Sequence, residues 1–261
     1  MKALQIAATG MAAQQMRVEV ISNNIANMST SAYRPRVAEF SDLVYEQNLT
    51  PGSITSQTGL LVPAGIQVGT GVRPSTVSMS ITQGALRETG GDLDIAIDGA
   101  GFLEVTLPSG ESGYTRDGKL NRSADGEVVT MDGYPLADGI IIPNNASRLT
   151  VSRDGEVVAY FNDQAEGQPL GVLSLVQFSN EKGLQAMGDN LFRQTEASGE
   201  PTQTVPGTDG AGILRQGYLE ESGVDVVREI SELIEAQRGY ELNSKVITAS
   251  DEMLAATTRL R

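Results

Sequence analysis

The residues best suited to chemistry in this chain are its carboxylates and its glycine-rich turns, because it contains no His and no Cys. That double absence removes the usual nucleophile–base pairs, thiolate chemistry, disulfides and the commonest metal ligand. Asp92-x-Asp94-x-x-x-Asp98-Gly99 has the outline of a calcium loop. Its spacing departs from that of such a site, no bidentate Glu follows at the required distance, and Leu93, Ile95 and Ile97 alternate with the acids as in a strand. Gly113-Tyr-Thr-Arg-Asp-Gly118-Lys119 matches most of a phosphate-binding loop, but Leu120 stands where the magnesium-binding Ser or Thr belongs. Gly69-x-Gly71 lacks the rest of a dinucleotide fingerprint. Two carboxylates alone can hydrolyse a glycoside, yet Asp and Glu fall mostly in turns and on helix faces. The sequence therefore predicts no catalytic residue, no cofactor and no metal. A carbohydrate-binding or cell-wall-acting β module on a helical stem remains the alternative function.

Stepping outward from these turns, the two ends of the chain are helical. Val226, Leu233, Tyr240, Ile247 and Leu254 recur at a step of seven. A second line begins at Ile230 and turns polar at Gln237, Ser244 and Asp251. Near the N-terminus, Leu4, Ala7, Met11, Gln14, Val18, Ile21, Ile25 and Met28 alternate steps of three and four, and Gln14 is the one polar member. Such spacing places each set along one seam of a slowly supercoiling helix. The first helix would run to about residue 28, roughly 40 Å at ~1.5 Å per residue. Ser29-Thr30-Ser31 and Pro35 end it, and Ser222-Gly-Val-Asp225 is a capping-box-like start for the second. Two seams at opposite ends can pair with each other, with other copies, or both. One apolar seam per helix leaves little margin of stability, so full ordering is expected only on self-assembly. Ile230, Ile234, Val246 and Met253, which flank the C-terminal seam, are expected to face neighbouring subunits.

The totals agree with a carried body rather than a compact enzyme core. Of 261 residues, 39% are apolar, 5% are aromatic and 29 are Gly, which favours many turns around a thin core. The net charge of −14 without a basic block argues against nucleic acid as a partner. No run approaches the ~18 apolar residues of a membrane helix, so no membrane insertion is expected. Lys2 followed by Ala3 to Ala8 faintly resembles a signal peptide, but Gln5, Thr9 and Gly10 interrupt it and the seam continues to Met28. No cleavage is expected.

Between the helices, residues 33–75 have no sustained period and are punctuated by Pro51-Gly52, Pro63 and Gly69-Thr-Gly71, which predicts extended arms and a hairpin or a segment ordered by a partner. From about 76 the period becomes two. Asp-Gly then recurs at 117, 125, 132, 138 and 154, each expected to turn a tight hairpin. Three of these turns look alike: Thr115–Leu120, Ser123–Val128 and Ser152–Val157. Leu170 to Phe178 is expected to be one further buried strand, and residues 195–217 a return connection. The predicted class is α+β: a discontinuous N- and C-terminal coiled-coil stem carrying a mainly antiparallel β domain. Its parts are an N-terminal stem helix (1–32), an arm or hairpin linker (33–75), a β domain (76–220) and a C-terminal stem helix (221–261) pairing with the first.

Ser22-Asn-Asn-Ile-Ala-Asn-Met-Ser-Thr30 closely resembles the N-terminal signature of flagellar rod and hook proteins. Gln237-Arg-Gly-Tyr-Glu-Leu-Asn-Ser-Lys-Val-Ile247 with Asp251-Glu-Met-Leu254 resembles their C-terminal signature. Asp94-Ile-Ala-Ile-Asp-Gly-Ala-Gly-Phe102 and Gly113–Gly118 extend the match over essentially the whole chain. The segment Leu43–Pro74, with Gly65-Ile-Gln-Val-Gly-Thr-Gly-Val-Arg73, looks most like that of the distal rod. One departure is Ala32-Tyr33-Arg34-Pro35, where Gly-aromatic-Lys is common.

The resemblance implies a structural subunit that polymerises helically into the distal rod, the drive shaft that crosses the periplasm and transmits torque to the hook. A hook or proximal rod subunit is the alternative within the family. It further implies export through the flagellar type III apparatus, with proximal rod, hook and ring proteins as partners besides copies of itself. Leu4, Met11, Val18, Ile21, Ile25, Val226, Ile230, Leu233, Tyr240, Ile247 and Leu254 would form the self-assembly stem. Pro51, Gly52, Gly65, Gly69 and Gly71 would mark a segment bridging adjacent subunits.

Overall fold

The computed structural model describes residues 2–49, 65–162 and 166–259. The chain is α+β, with a helix at each end and a mainly antiparallel β domain between them. It divides into two compact units. A helical unit comprises Met1–Ala26, Arg36–Ser78 and Asp225–Arg261, and a β unit comprises Asn27–Pro35 and Met79–Val224.

The helical unit is built on α1 (Lys2–Ala26) and α2 (Val226–Arg259), which pack antiparallel. The cap of α2 is Asp225 rather than a box begun by Ser222. Its Oδ1 accepts from the N–H groups of Val227 (3.1 Å) and Arg228 (3.2 Å), two donors that the helix leaves unpaired. Two strand pairs complete the unit: Arg36–Asp42 with Val72–Met79, and Tyr45–Leu49 with Ile66–Gly69. The long linker thus folds its flanks into a hairpin, while Pro51 and Gly52 lie outside the described residues. Gly71, at φ +126°, leaves room for Thr9 of α1, whose Oγ1 accepts from Val72 N–H at 3.3 Å. A Cβ on Gly71 would lie 2.2 Å from that oxygen, so Gly is required there on two counts.

The β unit has a continuous apolar core. Ile95, Ile97, Leu103, Val105, Leu175 and Leu214 are all buried at 1% exposure or less. Ile95, Ile97, Leu103 and Val105 come from the alternating stretches read in the sequence, because alternate residues of a strand share a face. A four-stranded sheet runs in the order Gln185–Gly188, Leu191–Arg193, Ser112–Thr115, Leu103–Thr106. A three-stranded sheet follows the order Ala146–Val151, Glu156–Phe161, Gln168–Val172. A smaller cluster joins Phe102, Tyr114 and Phe178 in edge-to-face contacts, with centroids 4.8 and 5.9 Å apart.

Three sequence expectations change here. Leu170–Phe178 is not one strand: Gln168–Val172 and Leu175–Gln177 belong to different sheets, broken at Leu173-Ser174. Residues 195–217 hold two paired strands, Thr202–Thr204 and Ile213–Gln216. Four of the five Asp-Gly pairs place Gly in the left-handed region, at φ +90° (Gly126), +87° (Gly133), +62° (Gly139) and +87° (Gly155). Gly118 is the exception. It is needed because a Cβ there would lie 1.6 Å from the Ile95 carbonyl oxygen.

Candidate functional site

The acidic and glycine-rich stretches singled out in the sequence fold into local structure. Among the described residues, no group of three or more Asp or Glu is placed to hold a metal. Asp94 accepts a hydrogen bond from Thr89 Oγ1, and Asp98 pairs with Arg215 at 2.7 Å, so these two acids of the calcium-like stretch serve local structure. A cavity of about 330 Å³ in the β unit is lined by Glu220 and Glu221 with Ser29, Ser31 and Ser222. Both carboxylates are ion-paired. Glu221 pairs with Arg87 at 3.1 Å, and Glu220 is buried against Arg116.

Arg116 is the buried residue that sequence reasoning missed. It lies in the phosphate-loop-like stretch, fully inaccessible, and donates to Glu220 Oε2 (3.0 and 2.9 Å) and to the carbonyls of Gly99 (3.0 Å) and Gly101 (2.7 Å). Glu220 in turn accepts from Gly84 N–H through Oε1 (3.1 Å), and its backbone carbonyl accepts from Ala32 N–H at 2.8 Å. Ala32 adopts φ +54°, the left-handed conformation that explains why Gly is common there in the resembled family. Arg34 donates to the Ile81 carbonyl. Burial lowers its pKa below the ordinary guanidinium value, and the Arg116 charge pushes in the same direction. These contacts tie residues 32–34, 81–84, 97–101, 116 and 220 into one buried node. The Arg116 charge is tolerated there because it is paired with Glu220 and also donates to backbone carbonyls.

The surface of the helical unit is of another kind. On α1, Ile21 is buried, while Leu4, Met11, Val18 and Ile25 are half-buried. On α2, Val226, Leu233 and Ile247 are half-buried, but Tyr240 and Leu254 are exposed. The line facing α1 most closely is another one: Glu229, Ala236 and Ser250 are buried and Asn243 is half-buried, again at a step of seven. The second line was therefore expected at Ile230 but runs through small and polar residues. A hydrophobic period cannot find such a line, because close approach of two helices selects small side chains over large ones. Asn24 marks its partner on α1, donating to Glu229 Oε2 (3.2 Å) and to the Arg36 carbonyl (2.8 Å) while accepting from Arg36 N–H (2.9 Å). Arg17 reaches Glu232 and Glu235 at 3.5 Å each.

Ile230, Ile234 and Val246 are each 46% exposed, with Val227, Leu242 and Met253 more exposed still. The four flanking residues named from the sequence thus all lie open on α2. Of the linker glycines, Gly69 and Gly71 are half-buried at the base of the hairpin, and Gly65 is half-buried at its other end, next to Ile66. A shallow cavity of about 510 Å³ on the paired helices is lined by Gln15, Val18, Gln237, Tyr240 and Glu241, and a smaller one by Lys2, Glu46 and Val68. Among the described residues no helix is long and apolar enough to cross a membrane.

Three protein-family models match the chain. Residues 4–34 match the flagella basal body rod protein, residues 96–159 the flagellar hook protein FlgE/F/G D1 domain, and residues 215–260 the flagellar basal body rod FlgEFG protein C-terminal. The chain is 49% identical over 261 residues to the flagellar basal-body rod protein FlgG of Caulobacter vibrioides, covering 100% of both chains. It is 38% identical to the protein of the same name in Borreliella burgdorferi, covering 100% of this chain and 99% of the other. It is 30% identical to the flagellar hook-basal body complex protein FlhP of Bacillus subtilis, covering 100% of each. The solved hook protein FlgE2 of Helicobacter pylori is 16% identical, covers 71% of this chain and 43% of its own, and has a TM-score of 0.24. Full-length identity of this order, with signatures matched at both ends and in the middle, means that the chain belongs to the flagellar basal-body rod protein family and is a structural component of the basal body.

Proposed function

We propose that the chain stacks helically with copies of itself to form the distal rod, with α1 and α2 in an inner coiled-coil tube, and so transmits torque to the hook. The observation that carries this reading is the open apolar side of α2. Val227, Ile230, Ile234, Leu242 and Val246 are 46–77% exposed on one helix of a soluble unit. Large apolar side chains left open in numbers mark an interaction surface, and a heterologous contact that does not close makes a filament rather than a ring. The stem residues from Leu4 to Ile25 and from Val226 to Leu254 would be shared between subunits. The segment around Pro51, Gly52, Gly65, Gly69 and Gly71 would bridge neighbours. Partners of the same reading are the proximal rod, hook and ring proteins, reached by flagellar type III export.

Electron microscopy of the concentrated protein tests it. Filaments are expected from the full chain and none from Ile234→Asp or Val246→Asp, while the β unit of both variants keeps its melting temperature. A monodisperse monomer at every concentration, or variants that still form filaments, would overturn the reading.

A further inference from the structure

We propose that Gly10 and Gln14 of α1, with Gly239 and Asn243 of α2, form a register key that admits the two helices in one lengthwise alignment. The proposal rests on the helical unit being the assembly element and adds to it the device that sets its alignment. Each helix carries a glycine followed four residues later by an amide. The antiparallel pairing lays each amide over the other helix's glycine. A Cβ on Gly10 would lie 2.9 Å from Asn243 Nδ2, and a Cβ on Gly239 would lie 3.2 Å from Gln14 Cδ. The pairs 10/243, 14/239 and 24/229 advance on α1 as they retreat on α2, so both contacts belong to one alignment.

Sliding the helices by one heptad shifts them about 10 Å. It would carry Gln14 to the level of Glu232 or Val246, where a side chain already fills the space a glycine leaves open. The apolar seam alone does not forbid that slip, because its seven-residue step looks the same after a heptad. The amide–glycine pairs do not repeat at that step, so they distinguish one register from the next.

Gln14 also carries the mark of a residue kept for specificity. It is the one polar position in the α1 seam, and its Oε1 is buried with no hydrogen-bond partner among the described residues. A buried acceptor left unsatisfied costs stability. A single polar residue in a helix seam that fixes register at such a cost is the best-attested use of one.

The chain has no Cys, so Ser22→Cys and Ser231→Cys, both on exposed positions at the same level of the pair, would be its only thiols. Nitroxide labels there, in concentrated full-length protein mixed with excess unlabelled chain, read the alignment within one chain by electron spin resonance. The parent gives one narrow distance. Gly10→Ala and Gly239→Ala broaden or displace it, although Ala favours the helix itself. The exchange Gln14→Gly with Gly239→Gln restores it. Gln14→Leu melts no lower than the parent, yet gains a second, longer distance, because the slip of about 10 Å runs across the line joining the two labels and lengthens it by a few ångströms. A single unchanged distance in all three single variants overturns the proposal, as does an exchange that fails to restore it. Micrographs of the same samples score assembly separately. For the parent chain, filaments formed with a loose register remove the key and leave the assembly reading intact; a tight register without filaments does the reverse.

Discussion

The β unit finishes itself, and the helical unit does not. In the β unit the large apolar side chains Phe102, Leu103, Ile97 and Leu175 are wholly enclosed, and even an arginine, Arg116, is inside, paired with Glu220. In the helical unit the buried positions are chiefly small or polar, such as Ala7, Ala13, Ala236, Asn24 and Ser250, and the large apolar residues of α2 lie outside. Charge divides in the same way. The β unit carries 22 of the 33 acidic residues against 10 of the 19 basic ones, whereas the helical unit carries 11 against 9. A strongly acidic surface repels its own kind and stays soluble; a nearly neutral one with apolar residues exposed invites contact. One chain thus combines a body that resists association with helices that seek it.

The contrast predicts opposite outcomes for mutations of similar size. The largest effect belongs to the buried node. Glu220→Ala leaves Arg116 charged and unpaired, and should destabilise the β unit by about 3–5 kcal/mol, read as a loss of its thermal unfolding transition. Leu103→Ala, at a site with 0% exposure, should cost the same unit about 2–5 kcal/mol. Ile230→Ala on the open side of α2 should change monomer unfolding by less than about 0.5 kcal/mol while weakening filament formation. Were the costs of Leu103→Ala and Ile230→Ala equal in the monomer, the division between the units would fail.

Acidity separates the units more gently. Burial raises the pKa of Asp117 and of Asp138 above the ordinary 3.8, despite hydrogen bonds to Asp117 from Lys119 N–H and Asn190 and to Asp138 from Ser174. A carboxyl with a raised folded-state pKa binds its proton more tightly in the folded chain. Its contribution is present below the ordinary value and is lost as pH rises through the raised one. Asp117→Asn should therefore flatten the fall in β-unit stability over that range, and denaturant titrations at stepped pH would register it. A small effect is likewise expected at the exposed Lys2–Glu46 pair of the helical unit, where Glu46→Gln should shift stability by under about 0.5 kcal/mol and leave assembly unchanged.

How far the sequence reveals this division differs by unit. The β core was legible because Leu93, Ile95 and Ile97, then Leu103, Val105 and Leu107, alternate cleanly, and a strand's two faces make alternation a direct record of burial. The turns at Ser123 and Ser152 were legible too, since the two share one hydrogen-bond pattern, Ser N–H to Glu carbonyl at 2.8 and 2.9 Å. Arg116 was not legible: nothing in the sequence distinguishes a buried arginine from a turn arginine when its partner, Glu220, lies 104 positions away. In the helical unit the step of seven was plain, and the exposure of Ile230, Ile234 and Val246 followed from it. The line through Glu229, Ala236, Asn243 and Ser250 was hidden because its residues carry no hydrophobic signal. Asn24 was legible as part of the Ser22–Thr30 signature but not as the residue that holds Glu229 and the strand beginning at Arg36.

Hydrogen exchange on the full chain, dilute and then assembled, compares the two units most directly. The amides of Ile95–Asp98, Leu103–Thr106 and Ile213–Gln216 should be equally protected in both states, while those of α1 and α2 exchange readily when dilute and slow markedly on assembly. Two long helices already fully protected in the dilute monomer would contradict the account.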